Sequence, residues 1–184
     1  MNDISLPEPR SLSNTRTINC QGYSREDGLW DIEAHLVDTK PTSVYHPKYG
    51  VPKPAGWPLH EMKIRITIDR DMVIRKAEAA TLKAPFEQCG VPPQSFSALE
   101  GVSLNKGWRK AVEERMGGVA GCTHLRELLG SIATMAYQTI ASSPEFIAQM
   151  DSGEVEPYFI DSCYTYAADG EVVRQMFPDH VEES

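Results

Sequence analysis

Four side chains combine metal-binding chemistry with a place at the end of an expected element: His60, Cys89, Cys122 and His124. Two thiolates and two imidazoles suit zinc or iron. No interval between them is a zinc-finger spacing, so the assignment depends on what folds them together. His60 opens the stretch HEMKIRITID, and Cys89 follows the segment that returns from it. Cys122 and His124 stand at the entry of GGVAGCTHLRELLGSIATMAYQTIA, Gly117–Ala141. A short turn between two strands puts the start of the first beside the end of the second. A helix packed along the sheet brings its N-terminus to the same rim, where its partial positive charge favours thiolate over thiol. Residues two apart on a helix point to nearly opposite sides. Cys122 and His124 therefore share an ion only if the first turn is not yet helical, and His124 is either a fourth ligand or a donor to another ligand. One open position would admit water or a substrate and metal-assisted chemistry, whereas four protein ligands would make the ion structural. The competing reading is four unrelated buried side chains.

Three other chemistries are open. Cys122 at a helix N-terminus beside a histidine could serve as a nucleophile, although a lone cysteine is more often structural. The Gly117–Gly121 backbone could cradle an anion, but it lacks the P-loop Lys-Ser/Thr and follows a helix rather than a strand; a tight helix-to-helix turn explains it equally. Asp31 and Glu33 resemble an acid–base pair, yet they fall on the polar face of an alternating strand and read as solvated. A fourth reading has no chemistry: a binding module whose contact surface is the proline-rich loop 40–58, with Tyr45, Tyr49 and Trp57 as contact area. That loop serves equally as a crossing segment packed on the sheet edge.

The elements that must position these groups follow from periodicity. Thr15–Tyr23 and Leu29–Asp38 read as a hairpin around Asp27-Gly28, with Trp30, Ile32, Ala34 and Leu36 on one face. His60–Asp69 is the cleanest strand: Met62, Ile64, Ile66 and Ile68 point one way, and His60 shares their parity at the rim. Met72–Thr81 returns as its partner. Ser95–Leu99 forms a helical turn and Gly107–Met116 a short helix. The long helix then buries Leu125, Leu128, Leu129, Ile132, Ala136 and Ile140 on one stripe, and Gly130 with Ala133 and Ala136 suggests close approach to the sheet. Pro144 closes it, and a brief helix covers Glu145–Met150. Asp169-Gly170 signals a C-terminal hairpin within 160–177. The whole is α+β: an antiparallel sheet with helices packed on one face, one domain over 1–184, with a loose arm at 1–14 and a frayed HVEES tail.

Composition sets the bounds. A 184-residue chain with 41% hydrophobic residues can bury a core. A net charge of −8 argues against nucleic acid or an anionic membrane as the main partner and leaves a small molecule or a protein. The first residues show no signal peptide and no apolar run spans a bilayer, so the expected location is cytoplasmic. The four cysteines, Cys20, Cys89, Cys122 and Cys163, contain no CxxC pair and read as free thiols or ligands.

Two resemblances add to this. The strings GYSREDGLWDIEAHLVDTKP, PLHEMKIRITID and GGVAGCTHLRELLGSIATMAYQT resemble an uncharacterised bacterial family, domain-of-unknown-function family 2889, which implies no activity. Residues 58–141 are similar in layout to the iron–sulfur cluster scaffold family. HEMKIRITIDRDMVIRKAEA is similar to that family's first hairpin. Cys89 falls at its middle ligand cysteine, Cys122 at its last, and His60 close to its ligand aspartate. Pro58 stands where its first cysteine would lie, Gly121 where a histidine often precedes the last cysteine, and His124 two positions after it. The N-terminal hairpin and C-terminal extension have no counterpart there. The resemblance implies a scaffold-like core at 58–141 and a zinc, iron or iron–sulfur site at its rim. The expected function is accordingly a metal-dependent enzyme or cluster-handling protein, against a non-catalytic binding module or a Cys122 thiol enzyme.

Overall fold

The computed structural model describes residues 8–47, 50–90, 92–105, 107–154 and 157–180. Tyr49, most of the frayed tail and the first half of the expected arm lie outside them; residues 8–14 are exposed and without regular structure. The chain forms two compact units, Met1–Ala136 and Tyr137–Ser184.

The first unit is built on an antiparallel meander of β1 (Thr15–Ser24), β2 (Trp30–Thr39), β3 (His60–Ile68) and β4 (Ile74–Lys83), in that order across the sheet. The N-terminal hairpin is therefore half of the sheet. Alternation decides which face is covered. Ile32, Ala34 and Leu36 of β2 and Met62, Ile64, Ile66 and Ile68 of β3 are all buried. The opposite face is polar and paired. Asp31 accepts a hydrogen bond from Thr67 Oγ1 at 2.6 Å, and Arg65 Nε donates to Glu33 at 2.9 Å. These two carboxylates thus serve cross-strand pairing and do not face each other in a site.

The β3–β4 turn is closed by Asp69, whose carboxylate accepts the backbone N–H groups of Asp71 and Val73, each at 3.0 Å, and the Nε of Arg75 at 2.7 Å. Met72, at the turn, has φ 60° and is buried. β4 starts later and runs further than its weak alternation suggests, because bulges at Glu61/Met62 and Thr67/Ile68 shift its register.

Helices cover the apolar face. A 3-10 segment, Pro92–Leu99, leads to α1 (Trp108–Met116) and α2 (Thr123–Ala141). Trp108, Val112 and Met116 are the buried residues of α1, and Leu125, Leu128, Leu129, Ile132, Ala133 and Ala136 form the buried stripe of α2. Trp108 Nε1 donates to the Leu129 carbonyl at 3.4 Å, joining the two helices. Their connection needs glycine. A Cβ on Gly121 would lie 2.2 Å from the Met116 carbonyl oxygen, so the chain can turn from α1 into α2 only without a side chain there. Gly117 and Gly121 thus serve a close backbone approach, while Gly118 takes a positive φ of 52°. Gly130, by contrast, is exposed, and a Cβ there would meet nothing within 4 Å. It does not mark contact with the sheet.

In the second unit, Ser143 caps α3 (Pro144–Asp151) by accepting the Phe146 N–H at 3.2 Å. The rings of Tyr137, Phe146, Tyr158, Phe159, Tyr166 and Phe177 pack in a chain with centroid separations of 4.8–6.0 Å, and burial pushes the Tyr158 hydroxyl pKa up. The expected C-terminal hairpin is absent. Tyr164–Tyr166 is a 3-10 turn and Glu171–Met176 is a helix, α4. The reason lies at Gly170: its φ is −78°, so it begins a helix instead of taking the left-handed geometry that a two-residue Asp-Gly hairpin turn requires.

Replacing Gly130 by Ala should stabilise the protein by about 1 kcal/mol, since helix propensity rises with no contact to disturb. Gly121→Ala should destabilise it by more than that, because the Met116 carbonyl must move. Urea unfolding of both variants checks the pair.

Candidate metal centre

Asp38 carries the parity of Ile32, Ala34 and Leu36, so its carboxylate turns inward at the end of β2 and is buried. It sits in a cross-strand row. Arg16 of β1 is its register partner on one side and His60 of β3 on the other. Arg16 forms a two-pronged ion pair, Nε to Oδ1 and Nη2 to Oδ2, both at 2.7 Å. His60 Nδ1 lies 3.2 Å from Asp38 Oδ2.

The N-terminus of α2 closes the site from the helical layer. The Cys122 carbonyl accepts the Arg126 N–H at 2.9 Å, which makes Cys122 the cap and His124 a residue of the first turn. Cys122 is therefore outside the helix. That is why residues two apart can meet: Cys122 Sγ lies 3.8 Å from His124 Nδ1. His124 Nε2 points the other way, 3.6 Å from Asp38 Oδ2, and its ring stacks on that of His60 with centroids 4.0 Å apart. Glu127 in the same helix pairs with Arg16, and Arg126 pairs with Glu113 of α1, so the helix start is tied to both β1 and α1.

Asp38, His60 and His124 each offer one ligand atom, and these atoms all lie within 4.8 Å of one another. Of the four residues expected from the sequence, His60 and His124 fall in this group; Cys122 adjoins it only through His124 Nδ1. Neither Cys122 nor Cys89 belongs to a group of three or more possible ligands among the described residues. The position of Cys89 has a cause. β3 separates β2 from β4. The Cys89 carbonyl accepts the Thr81 hydroxyl at 2.9 Å, which holds its turn to the edge strand β4. Asp38 reaches His60 from the other side. Asp38 and Arg16 were not singled out from the sequence. The signal was present in the alternation of β2, where the inward set continues past Leu36 onto an aspartate.

Electrostatics follow from burial. The Arg16 hydrogen bonds hold the Asp38 carboxyl below its ordinary pKa, against the opposing effect of desolvation, with the Arg16 charge and then His60 and His124 adding. His124 is pushed down, first by burial and then by the charges of His60 and Arg16. The ionised carboxylate and neutral imidazole that result are the forms that bind a metal.

A family model described as "Protein of unknown function (DUF2889)" matches residues 14–138, well over half of the chain. The chain belongs to this family. All of the residues that build the centre, from Arg16 to Glu127, fall inside the matched DUF2889 region. No curated protein and no solved structure matches the chain. No described helix is long and apolar enough to cross a membrane.

Both shifts act in one direction. His124 binds its proton less tightly folded than unfolded, so its contribution is complete above its ordinary value of 6.5 and is lost as pH falls below it. Asp38 contributes above 3.8 and loses that contribution as pH falls through its depressed folded value. Stability should therefore decline in two steps on acidification. His124→Gln should shrink the step near neutrality. Arg16→Gln, which leaves the buried carboxylate without its partner, should cost on the order of 2 kcal/mol near pH 7 and shrink the acid step. Urea titrations across pH check both.

Proposed function

We propose that this protein binds one zinc or iron ion through Asp38, His60 and His124 and uses it as a metal-dependent enzyme. The observation that carries the reading is the convergence of three ligand atoms from β2, β3 and α2 within 4.8 Å. The separations support it. Metal–ligand bonds of about 2.0–2.2 Å in tetrahedral geometry imply ligand-to-ligand edges of about 3.3 Å. The Asp38–His60 and Asp38–His124 distances are 3.2 and 3.6 Å.

Two imidazoles and one carboxylate are a donor set used by zinc hydrolases and by mononuclear iron enzymes. Three protein donors leave room for an exogenous ligand, which favours a catalytic over a structural ion. Cys122 then acts through His124: with Nε2 on the metal, Nδ1 carries the hydrogen and donates toward Sγ, fixing the ring. Arg16 does the same for the carboxylate. An iron–sulfur cluster is less well served, since such clusters are held by thiolates and, among the described residues, no cysteine belongs to the donor set, Cys122 adjoining it through His124.

A thiol enzyme is the second reading. The series Cys122 Sγ to His124 Nδ1 at 3.8 Å and His124 Nε2 to Asp38 at 3.6 Å favours it, being the order of a nucleophile, base and orienting acid. Here His60 and the metal have no part.

Elemental analysis of protein purified without oxygen separates the two. The expected result is one equivalent of zinc or iron without the absorption near ~400 nm that thiolate-bound clusters give. His60→Ala, His124→Ala and Asp38→Ala should each abolish uptake. Cys122→Ser should weaken metal affinity about 10- to 100-fold, and Cys20→Ser and Cys89→Ser should leave it unchanged. Metal content that is the same in wild type and a His60→Ala/His124→Ala variant would refute the assignment. Metal-free protein whose Cys122 is alkylated by iodoacetamide far faster than Cys20, with that advantage lost in His124→Ala but kept in His60→Ala, would establish the thiol reading instead.

A further inference from the structure

The sheet has two edges, and the chain treats them differently. Along β4 the segment that follows the 3-10 helix closes the edge. Gly101 N–H donates to the Ile74 carbonyl at 2.8 Å, Ile74 N–H to that of Val102 at 2.9 Å, and Ala77 N–H to the Glu100 carboxylate at 3.3 Å. β4 also carries Arg75, Lys76, Glu78 and Lys83, charges of the kind that keep an edge from pairing. β1 has neither device. It ends the sheet on the other side, and among the described residues no hydrogen bond reaches its outer edge. It is 10 residues long, follows β2 in unbroken register, and contains no proline and, from Thr17 to Ser24, no charge. Arg16 is already engaged with Asp38 and Glu127. Most β1 side chains are exposed.

The hairpin fixes which backbone groups face outward. Arg25 N–H donates to the Leu29 carbonyl at 2.9 Å, so these two form a hydrogen-bonded pair, and in an antiparallel ladder such pairs recur at every second residue. Thr17, Asn19, Gln21 and Tyr23 therefore direct their N–H and C=O groups at β2. Those of Arg16, Ile18, Cys20, Gly22 and Ser24 point away from it, along the free edge.

We propose that β1 pairs edge to edge with β1 of a second copy of this chain, giving a two-fold dimer with one continuous sheet. The strand is self-complementary. A two-fold axis normal to the sheet at Cys20 sets every outward-facing residue against another: Arg16 against the partner's Ser24, Ile18 against the partner's Gly22, and Cys20 against the partner's Cys20. Each such pair exchanges two backbone hydrogen bonds, the source of affinity when a strand is added to a sheet. On the polar face Asn19 meets the partner's Gln21 and Thr17 meets the partner's Tyr23, so no like charges oppose one another. An uncharged strand gives an acidic or basic segment nothing to pair its charges with, which favours a second copy. The partner's Ser24 then stands beside Arg16, at the rim where Asp38 lies, but the dimer does not depend on the metal reading.

Sedimentation equilibrium of the full chain tests it. Wild type should sediment as a dimer in the micromolar range. Asn19→Lys/Gln21→Lys sets lysine against lysine on both sides of the axis and should raise the dimer dissociation constant at least about ten-fold. Asn19→Glu/Gln21→Lys sets opposite charges in the same rows and should keep the dimer. Within one chain the substituted positions face His35 and Glu33 of β2, so neither variant adds a like-charge clash with a carboxylate there. Should the lysines perturb folding, as read by circular dichroism, Thr17→Lys/Tyr23→Lys makes the same comparison in the neighbouring rows. A monomeric wild type overturns the proposal. So does a dimer indifferent to both lysine variants, or one split as fully by Asn19→Glu/Gln21→Lys as by Asn19→Lys/Gln21→Lys. A monomer that binds a labelled peptide of alternating threonine and valine, and loses it in Asn19→Lys/Gln21→Lys, would assign the edge to a strand of another protein instead.

Discussion

A carboxylate turned toward the core of a protein needs a cation, and the first unit is arranged around meeting that need at Asp38. Arg16 supplies it from the adjacent strand with matched two-pronged geometry. The arginine in turn reaches Glu127 of α2. One guanidinium therefore links β1, β2 and the helix layer at a single rim. An unpaired buried charge would be strongly destabilising, so these three elements must assemble together or leave Asp38 exposed. The same row places His60, because antiparallel register fixes the residue opposite Asp38 on the far side.

The helix side of the site has a different origin. Its accuracy comes from the connection between α1 and α2, with the Glu127–Arg16 pair as its tie to the sheet. Gly121 lets the backbone pass against the Met116 carbonyl, and the Arg126–Glu113 pair holds the start of α2 to α1. Because the helix starts after Cys122, the cap residue and the first-turn histidine can share one side. Had the helix begun a residue or two earlier, Cys122 and His124 would diverge. The site thus depends on where a helix begins, which is a weaker determinant than strand register and is here reinforced by glycine and by two ion pairs.

How much of this was legible in the sequence varies with the kind of signal. The strands of the first unit were readable because alternation over Ile64, Ile66 and Ile68 has one structural meaning. The long helix was readable for the same reason. The second unit was not. Val172 and Val173 with a preceding Asp-Gly suggest a strand, but only the backbone angle of Gly170 decides between a hairpin and a helix start. Cys89 was drawn into the expected site by its place after a strand. Where it goes was settled by a bond from Thr81 and by bulges that spacing alone does not reveal. Asp38 was passed over for the opposite reason: it ended an alternating strand, where a charged residue is usually taken for the start of a loop.

These two routes to the rim differ in what holds them, and that bears on the chemistry. Asp38 and His60 are fixed by ladder hydrogen bonds across three strands, so their separation is rigid. His124 is carried on the first turn of α2, which ion pairs tie to β1 and to α1. The His124 ring stacks on that of His60 with centroids 4.0 Å apart. Burial lowers the His124 pKa, so this ring lies there uncharged, the form in which its nitrogens can bind a metal.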